Sequence, residues 1–353
     1  MSTPLNESAA FGPPAGDASQ LIASHRAARD GAALIDRSDR ARLVLSGPDA
    51  LDLLHRTTTA DLSELAAGQF ATTVIQIETG RILDWLLLWR RTDDLLIVTG
   101  PGRGAADLEW LDRMVIMDDV TVRSLDDESA LFELSGPDAA AILGRLGLKL
   151  PGRVGAAAEP RCVDGIVDGA LITVAIARRA EHPECWLVVP RAAAPAVAAR
   201  LQQAGATPIG LVVDEALRLE RGQPLVGREL TNQANPLEAR LHASIGFRKG
   251  CYPGQEVIAR MITYKSVKRI LSLIQLERAV TAPRTGSSYP LADGTAAGRI
   301  TSTAWSFQHA APLAMGYLRN DLALTGTKVA VNTPDGPVGG QVIDFPIAGT
   351  QWN

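Results

Sequence analysis

Apolar and polar positions along this chain alternate between two periods, and the switches mark its elements. Phe70 to Ile77 and Ile82 to Trp89 read as strands, joined by the hairpin-like turn Glu78-Thr79-Gly80-Arg81. Leu95 to Thr99 reads as another strand and Asp107 to Met114 as a helix. Further on, Leu171 to Ala177 and Trp186 to Val189 are predicted strands. Ala192 to Gln203 is an Ala-rich helix ended by Gly205, and Val212 to Arg221 is a helix that stops at Gly222. From about residue 267 short strands such as Ile270 to Leu276 and Lys328 to Val331 alternate with the turns Asp293-Gly294 and Pro334-Asp335-Gly336-Pro337. That texture predicts a small barrel or sandwich.

One pattern occurs twice. Leu45-Ser46-Gly47-Pro48-Asp49-Ala50 returns as Leu134-Ser135-Gly136-Pro137-Asp138-Ala139. Each copy follows an apolar run and precedes a helical pattern, with proline tolerated in the first helical turn. A repeated strand–turn–helix unit predicts two similar α+β modules.

The densest chemistry lies in Lys249-Gly250-Cys251-Tyr252-Pro253-Gly254-Gln255-Glu256. Pro253-Gly254 is a turn signal. Val257, Ile258, Met261 and Ile262 then give the apolar face of a helix. Cys251 sits just upstream of that helix's positive end, beside Arg248 and Lys249, a setting that favours thiolate over thiol. Two readings stand side by side, a reactive thiol and a tightly packed loop with a buried cysteine.

This octapeptide resembles the signature of the YgfZ family, folate-binding proteins related to the aminomethyltransferase (T-protein) of the glycine cleavage system. The resemblance continues through Glu215-Ala216-Leu217-Arg218-Leu219-Glu220-Arg221-Gly222, Asn235-Pro236-Leu237-Glu238-Ala239 and Val257-Ile258-Ala259-Arg260. It also takes in Gly80-Arg81-Ile82-Leu83-Asp84 and covers about residues 20 to 350. It implies a three-domain ring of two α+β modules and a C-terminal β-barrel. The expected division is a flexible tail over 1–19, a first module over 20–48 and 129–215, a second over 49–128 and 216–265, and the barrel over 266–353.

By the same resemblance tetrahydrofolate or a derivative is the expected ligand. Glu220 would contact the pterin, as the matching Glu of the aminomethyltransferases does. Lys249 and Arg248 are candidates for the folate tail or for tuning Cys251. Tyr252 and Trp85 are candidates for its apolar wall; Trp85 and Trp89 share one face of a strand by period two. The transferases carry an Asp-Asp pair where this chain has Asp84-Trp85, so one carboxylate is lost or displaced. The implied role is therefore an accessory one, supporting iron–sulfur enzymes and tRNA modification with Cys251 as the functional thiol. The alternative is a tetrahydrofolate-dependent aminomethyltransferase, with Asp84 the one carboxylate placed to act.

Composition narrows the field. The chain has 353 residues, 46% of them apolar, enough for two or three cores. A net charge of −4 argues against a dedicated nucleic-acid binder; Lys265, Lys268 and Arg269 form only a short basic cluster. Cys162, Cys185 and Cys251 are far apart, without metal-site spacing, so no metal is expected and a reducing compartment is. No apolar run reaches the length of a membrane span. The first 19 residues lack Lys and Arg, unlike a signal peptide. The expected location is the cytoplasm, with iron–sulfur proteins as candidate partners.

Overall fold

The computed structural model describes residues 18–148, 161–178 and 183–346. The tail expected over 1–19 lies outside them except for its last two residues, which begin the helix Ala18–Ala27.

Two sheets carry the α+β part. One has the strand order Phe70–Gln76, Ile82–Arg90, Asp94–Pro101, Arg40–Ser46, Thr121–Ser124. The other runs Arg161–Val167, Ala170–Arg178, Pro183–Pro190, Ser129–Ser135, Ala33–Asp36, and ends on the short strand Thr207–Pro208. Aligned on the repeated Ser-Gly-Pro-Asp, the first five strands match place for place. The helices match too: Ala50–Thr57 and Ala139–Arg145 follow the repeat, and Gly104–Met114 and Ala194–Gln203 follow the third strand of each sheet. Arg40–Ser46, which the boundary at 48 assigned to the first module, hydrogen-bonds in the sheet that holds Phe70–Gln76.

Each sheet packs helices on one face and the other sheet on the opposite face. Leu43, Leu45, Leu53, Leu54, Leu86 and Leu88 bury one helix-side core. Leu134, Ile142, Leu143, Ile172, Leu187 and Leu201 bury the other. Val44, Leu87, Trp89, Leu131, Ala175 and Trp186 fill the seam between the sheets. The sheet edges also meet, where Cys162 N donates to Gly68 O at 2.7 Å. Because successive strand residues face opposite ways, Leu86 and Leu88 go to the helices while Leu87 and Trp89 go to the seam.

The C-terminal part is a closed six-stranded barrel. Its order is Tyr289–Pro290, Gly298–Ser306, Ala311–Arg319, Arg269–Leu276, Gly336–Ile343, Lys328–Thr333. A bridge between Leu291 and Val331 joins the ends. Closure removes the exposed sheet edges that invite aggregation. No helix among the described residues is long and apolar enough to cross a membrane.

The repeated turn works because of its glycine. Gly47 and Gly136 have φ of 121° and 140°, a region closed to residues with a Cβ. A Cβ on Gly136 would also strike the carbonyl oxygens of Gly31 and Ala28. Gly136→Ala should therefore cost about 2–4 kcal/mol, read as a lower urea midpoint. Gly144→Ala in the adjoining helix, where a Cβ meets nothing, should be neutral or stabilising.

Candidate functional site

A cavity of about 1260 Å³ opens between the two modules. Trp85, Pro101 and Phe132 give it apolar walls, Glu133, Asp214 and Glu215 carboxylates, and Arg37, Arg218 and Arg228 guanidinium groups. These come from both sheets, from the helix Leu211–Glu220 and from the loop that follows it.

That helix organises the site. It is buried on more than one face, with Val213, Ala216 and Leu217 apolar and Arg218 and Glu220 charged. Such charges are tolerated only when paired. Asp214 takes Arg37 through two bonds of 2.6 and 2.7 Å, and Arg37 also donates to Glu133 at 2.7 Å. Arg218 grips Glu215 through bonds of 2.8 and 2.7 Å and donates to Glu229 at 2.9 Å and to Ser302 Oγ at 2.7 Å. Burial alone would push the Glu215 carboxyl up; the Arg218 charge and hydrogen bonds outweigh it and hold Glu215 below its ordinary range. Arg228 reaches Glu215 at 3.4 Å.

Glu220 is on the same helix but not among the residues lining this cavity. Its carboxylate is buried and accepts from Ser306 Oγ at 2.6 Å and Gln308 N at 3.0 Å, and it pairs with His25 Nε2 at 2.7 Å. It ties the N-terminal helix to the barrel. Neither Arg218 nor Arg221 is its partner; Arg221 donates to Ser135 Oγ at 2.9 Å.

Trp85 is the one residue of the expected set that lines the cavity. Its Nε1 donates to Ser244 Oγ at 2.9 Å. Asp84, one position earlier on the strand, is fully buried and does not line the cavity. It accepts from its own neighbour Trp85 N at 2.7 Å and from Gly100 N at 2.8 Å. Burial first, then hydrogen bonding to Asp107 and that residue's charge, hold the Asp84 carboxyl well above the usual carboxylate range. Of the dipeptide Asp84-Trp85, the tryptophan is the member that lines the cavity.

The octapeptide packs on the turn of the hairpin that bears Trp85. Gly254, in left-handed conformation before the helix Gln255–Thr263, lies against Ile77 O and Gly80. Gln76 Nε2 donates to Pro253 O at 2.7 Å. Cys251 is exposed. Lys249 is buried, and its ammonium donates to the carbonyls of His55, Thr58 and Ala60. Burial brings its pKa down to about 8. Lys249 also stands over the Tyr252 ring, 4.9 Å from its centroid. Tyr252 is buried, and burial pushes its hydroxyl up to about 12. Arg248 is exposed. None of these four residues lines the cavity.

The cavity's carboxylate and guanidinium groups went unrecognised in the sequence. The available signal was an apolar-rich helix, Leu211–Glu220, that still carries Asp214, Glu215 and Arg218.

Two matched α+β modules, a closing barrel and an acid- and guanidinium-lined cavity between the modules define a class of architecture, and comparison with known proteins gives it a family. The GCVT N-terminal domain matches residues 8–249, and the glycine cleavage T-protein C-terminal barrel domain matches residues 269–347. The chain belongs to the GCVT family. It is 31% identical to a putative chloroplastic transferase of Arabidopsis thaliana, over 86% of this chain and 68% of that protein. To an aminomethyltransferase of Rubrobacter xylanophilus it is 31% identical, over 80% of this chain and 74% of that protein. The crystal structure of the glycine cleavage system aminomethyltransferase T of Bartonella henselae superposes with a TM-score of 0.80 at 22% identity, covering 94% of this chain and 90% of that one. That likeness confirms the fold of two α+β modules and a barrel.

The Glu220 contacts give a prediction. Burial would raise this carboxyl, but bonds from His25, Ser306 and Gln308 outweigh it and lower its pKa from 4.5. A carboxyl depressed in the folded state stabilises above its unfolded pKa and loses that contribution as pH falls through the folded one. Glu220→Gln should thus cost about 2 kcal/mol at neutral pH. The gap from wild type should close as pH falls below the ordinary glutamate range and through the depressed folded pKa, as measured by thermal unfolding across pH.

Proposed function

We propose that the chain binds a reduced folate in the cavity between its modules and acts as a folate-dependent transferase of the aminomethyltransferase type. The observation that carries this reading is the cavity's composition, taken with membership of the GCVT family. A folate needs a carboxylate to pair with its pterin edge, an apolar wall for its aromatic linker and cations for its glutamate tail. Glu133, Asp214 and Glu215, then Trp85 and Phe132, then Arg37, Arg218 and Arg228 are of those three kinds. Relatives that span most of the chain are named aminomethyltransferases. The folate would supply the nitrogens that carry a one-carbon unit; the protein would hold and orient it.

One observation favours a second reading. Trp85 rather than a carboxylate faces the cavity from the strand, while Cys251 is exposed. A YgfZ-like accessory protein, binding folate without the transfer reaction and supporting iron–sulfur enzymes and tRNA modification through its thiol, fits that pair of facts.

Two measurements separate the readings. Titration calorimetry with tetrahydrofolate should show binding, and Trp85→Ala should weaken it about tenfold through the lost stacking surface. Absence of binding at millimolar ligand would sink both. Purified protein offered aminomethylated lipoyl carrier protein and tetrahydrofolate should form methylene-tetrahydrofolate if it is a transferase. Binding without turnover, together with failure of Cys251→Ala to restore iron–sulfur enzyme activity in a deletion strain, would select the accessory role.

A further inference from the structure

Asp84 sits one position before Trp85 on the strand that reaches the cavity, and the proposed function gives it no task. Its setting is specific. Both oxygens are used, Oδ1 by Trp85 N and Oδ2 by Gly100 N. The two amides belong to neighbouring strands, and each adjoins the cavity: Trp85 lines it, and so does Pro101, the residue after Gly100. The packing allows no slack. A Cβ on Gly100 would lie 2.5 Å from Asp84 Oδ1 and 2.6 Å from Val226 Cβ, and Val226 also lines the cavity.

Behind Asp84 stands a second acid. Asp107, on the helix Gly104–Met114, is fully buried. Its Oδ1 takes Arg103 Nη2 at 2.7 Å, while its buried Oδ2 receives no donor from the N–H and O–H groups of its neighbours. Burial first, then this neighbouring carboxylate, hold the Asp84 carboxyl well above its ordinary range. A carboxyl buried beside another acid favours its protonated form, which is the direction in which Asp84 is held.

We propose that Asp84 is a positioning residue: it pins the amides of Trp85 and Gly100 and so fixes the Trp85–Pro101 wall against which the cavity's ligand packs. Among the described residues Asp107, paired in turn with Arg103, is the titratable group that acts on Asp84; Trp85, Gly100 and Val226 also stand close to its carboxyl. The consequence has a sign. Asp84 is held above its unfolded value, so the pair's contribution is complete at low pH and is lost as pH rises through the folded pKa. Loss of the Asp84 proton adds a negative charge near Asp107 beneath the wall. Asp107→Asn should cancel this, because its amide donates to an ionised Asp84 and leaves both backbone bonds in place.

The inference rests on the cavity being the ligand site, but its first test needs no ligand. Tryptophan emission of wild type minus that of Trp85→Phe isolates Trp85, and is followed from about pH 4 to 9. A titration is expected in wild type and a flat profile in Asp107→Asn. Asp84→Ala should have red-shifted Trp85 emission and bind tetrahydrofolate on the order of tenfold more weakly. A flat wild-type profile, or a titration that survives unchanged in Asp107→Asn, would overturn the proposal, and the second outcome holds even if Asp84→Ala fails to fold. A Trp85 titration that vanishes in Asp107→Asn, in a protein that binds no folate, supports the positioning role and counts against the folate reading alone.

Discussion

The Arg218 guanidinium is the point on which the assembly turns. It is buried, and its hydrogen bonds reach three parts of the chain: Glu215 on its own helix, Gln223 O and Glu229 in the next loop, and Ser302 in the barrel. Glu229 is tied in turn to Thr301, Ser302 and Leu225 N. Removing one member of such a network would leave an uncompensated charge in the interior, typically costing 3–5 kcal/mol. Folding therefore sets the helix Leu211–Glu220 in one place relative to the barrel. From that place Asp214 reaches Arg37 in the first module and Glu220 reaches His25 at the N-terminal helix. The cavity is the space left beside a helix fixed on three sides.

The two modules share a plan that local sequence reveals only in part. The Ser-Gly-Pro-Asp echo is legible because a left-handed glycine between strand and helix leaves a local mark. The strand order that it heads is not, since pairing Arg40–Ser46 with Asp94–Pro101 and Thr121–Ser124 depends on contacts far along the chain. A boundary drawn at 48 follows chain proximity, whereas the sheet follows hydrogen bonds. The barrel was easier to read, because regular turns at Gly294 and Gly336 punctuate short strands.

Among the site residues the limit is clearer still. Period two shows that Asp84 and Trp85 face opposite ways, but not which faces the cavity; that depends on which side of the sheet the helices cover. Lys249 lies two residues from Cys251, yet its ammonium points to carbonyls 189 to 194 residues earlier. Glu220 and His25 are 195 residues apart. Charge beside charge in sequence was a poor guide wherever burial forced a side chain to find its partner at long range.

The Lys249 contacts alter what an exposed Cys251 means. Three carbonyls around the end of the helix Ala50–Thr57 depend on that one ammonium, and Gly254 is seated against the hairpin turn at Ile77 and Gly80. Swinging the segment outward would strand those oxygens without a donor. The thiol is thus offered at a fixed address, and chemistry at its sulfur requires the other reactant to make the approach. A narrow or bulky partner would then be sorted by the shape of the surrounding surface before any bond is made.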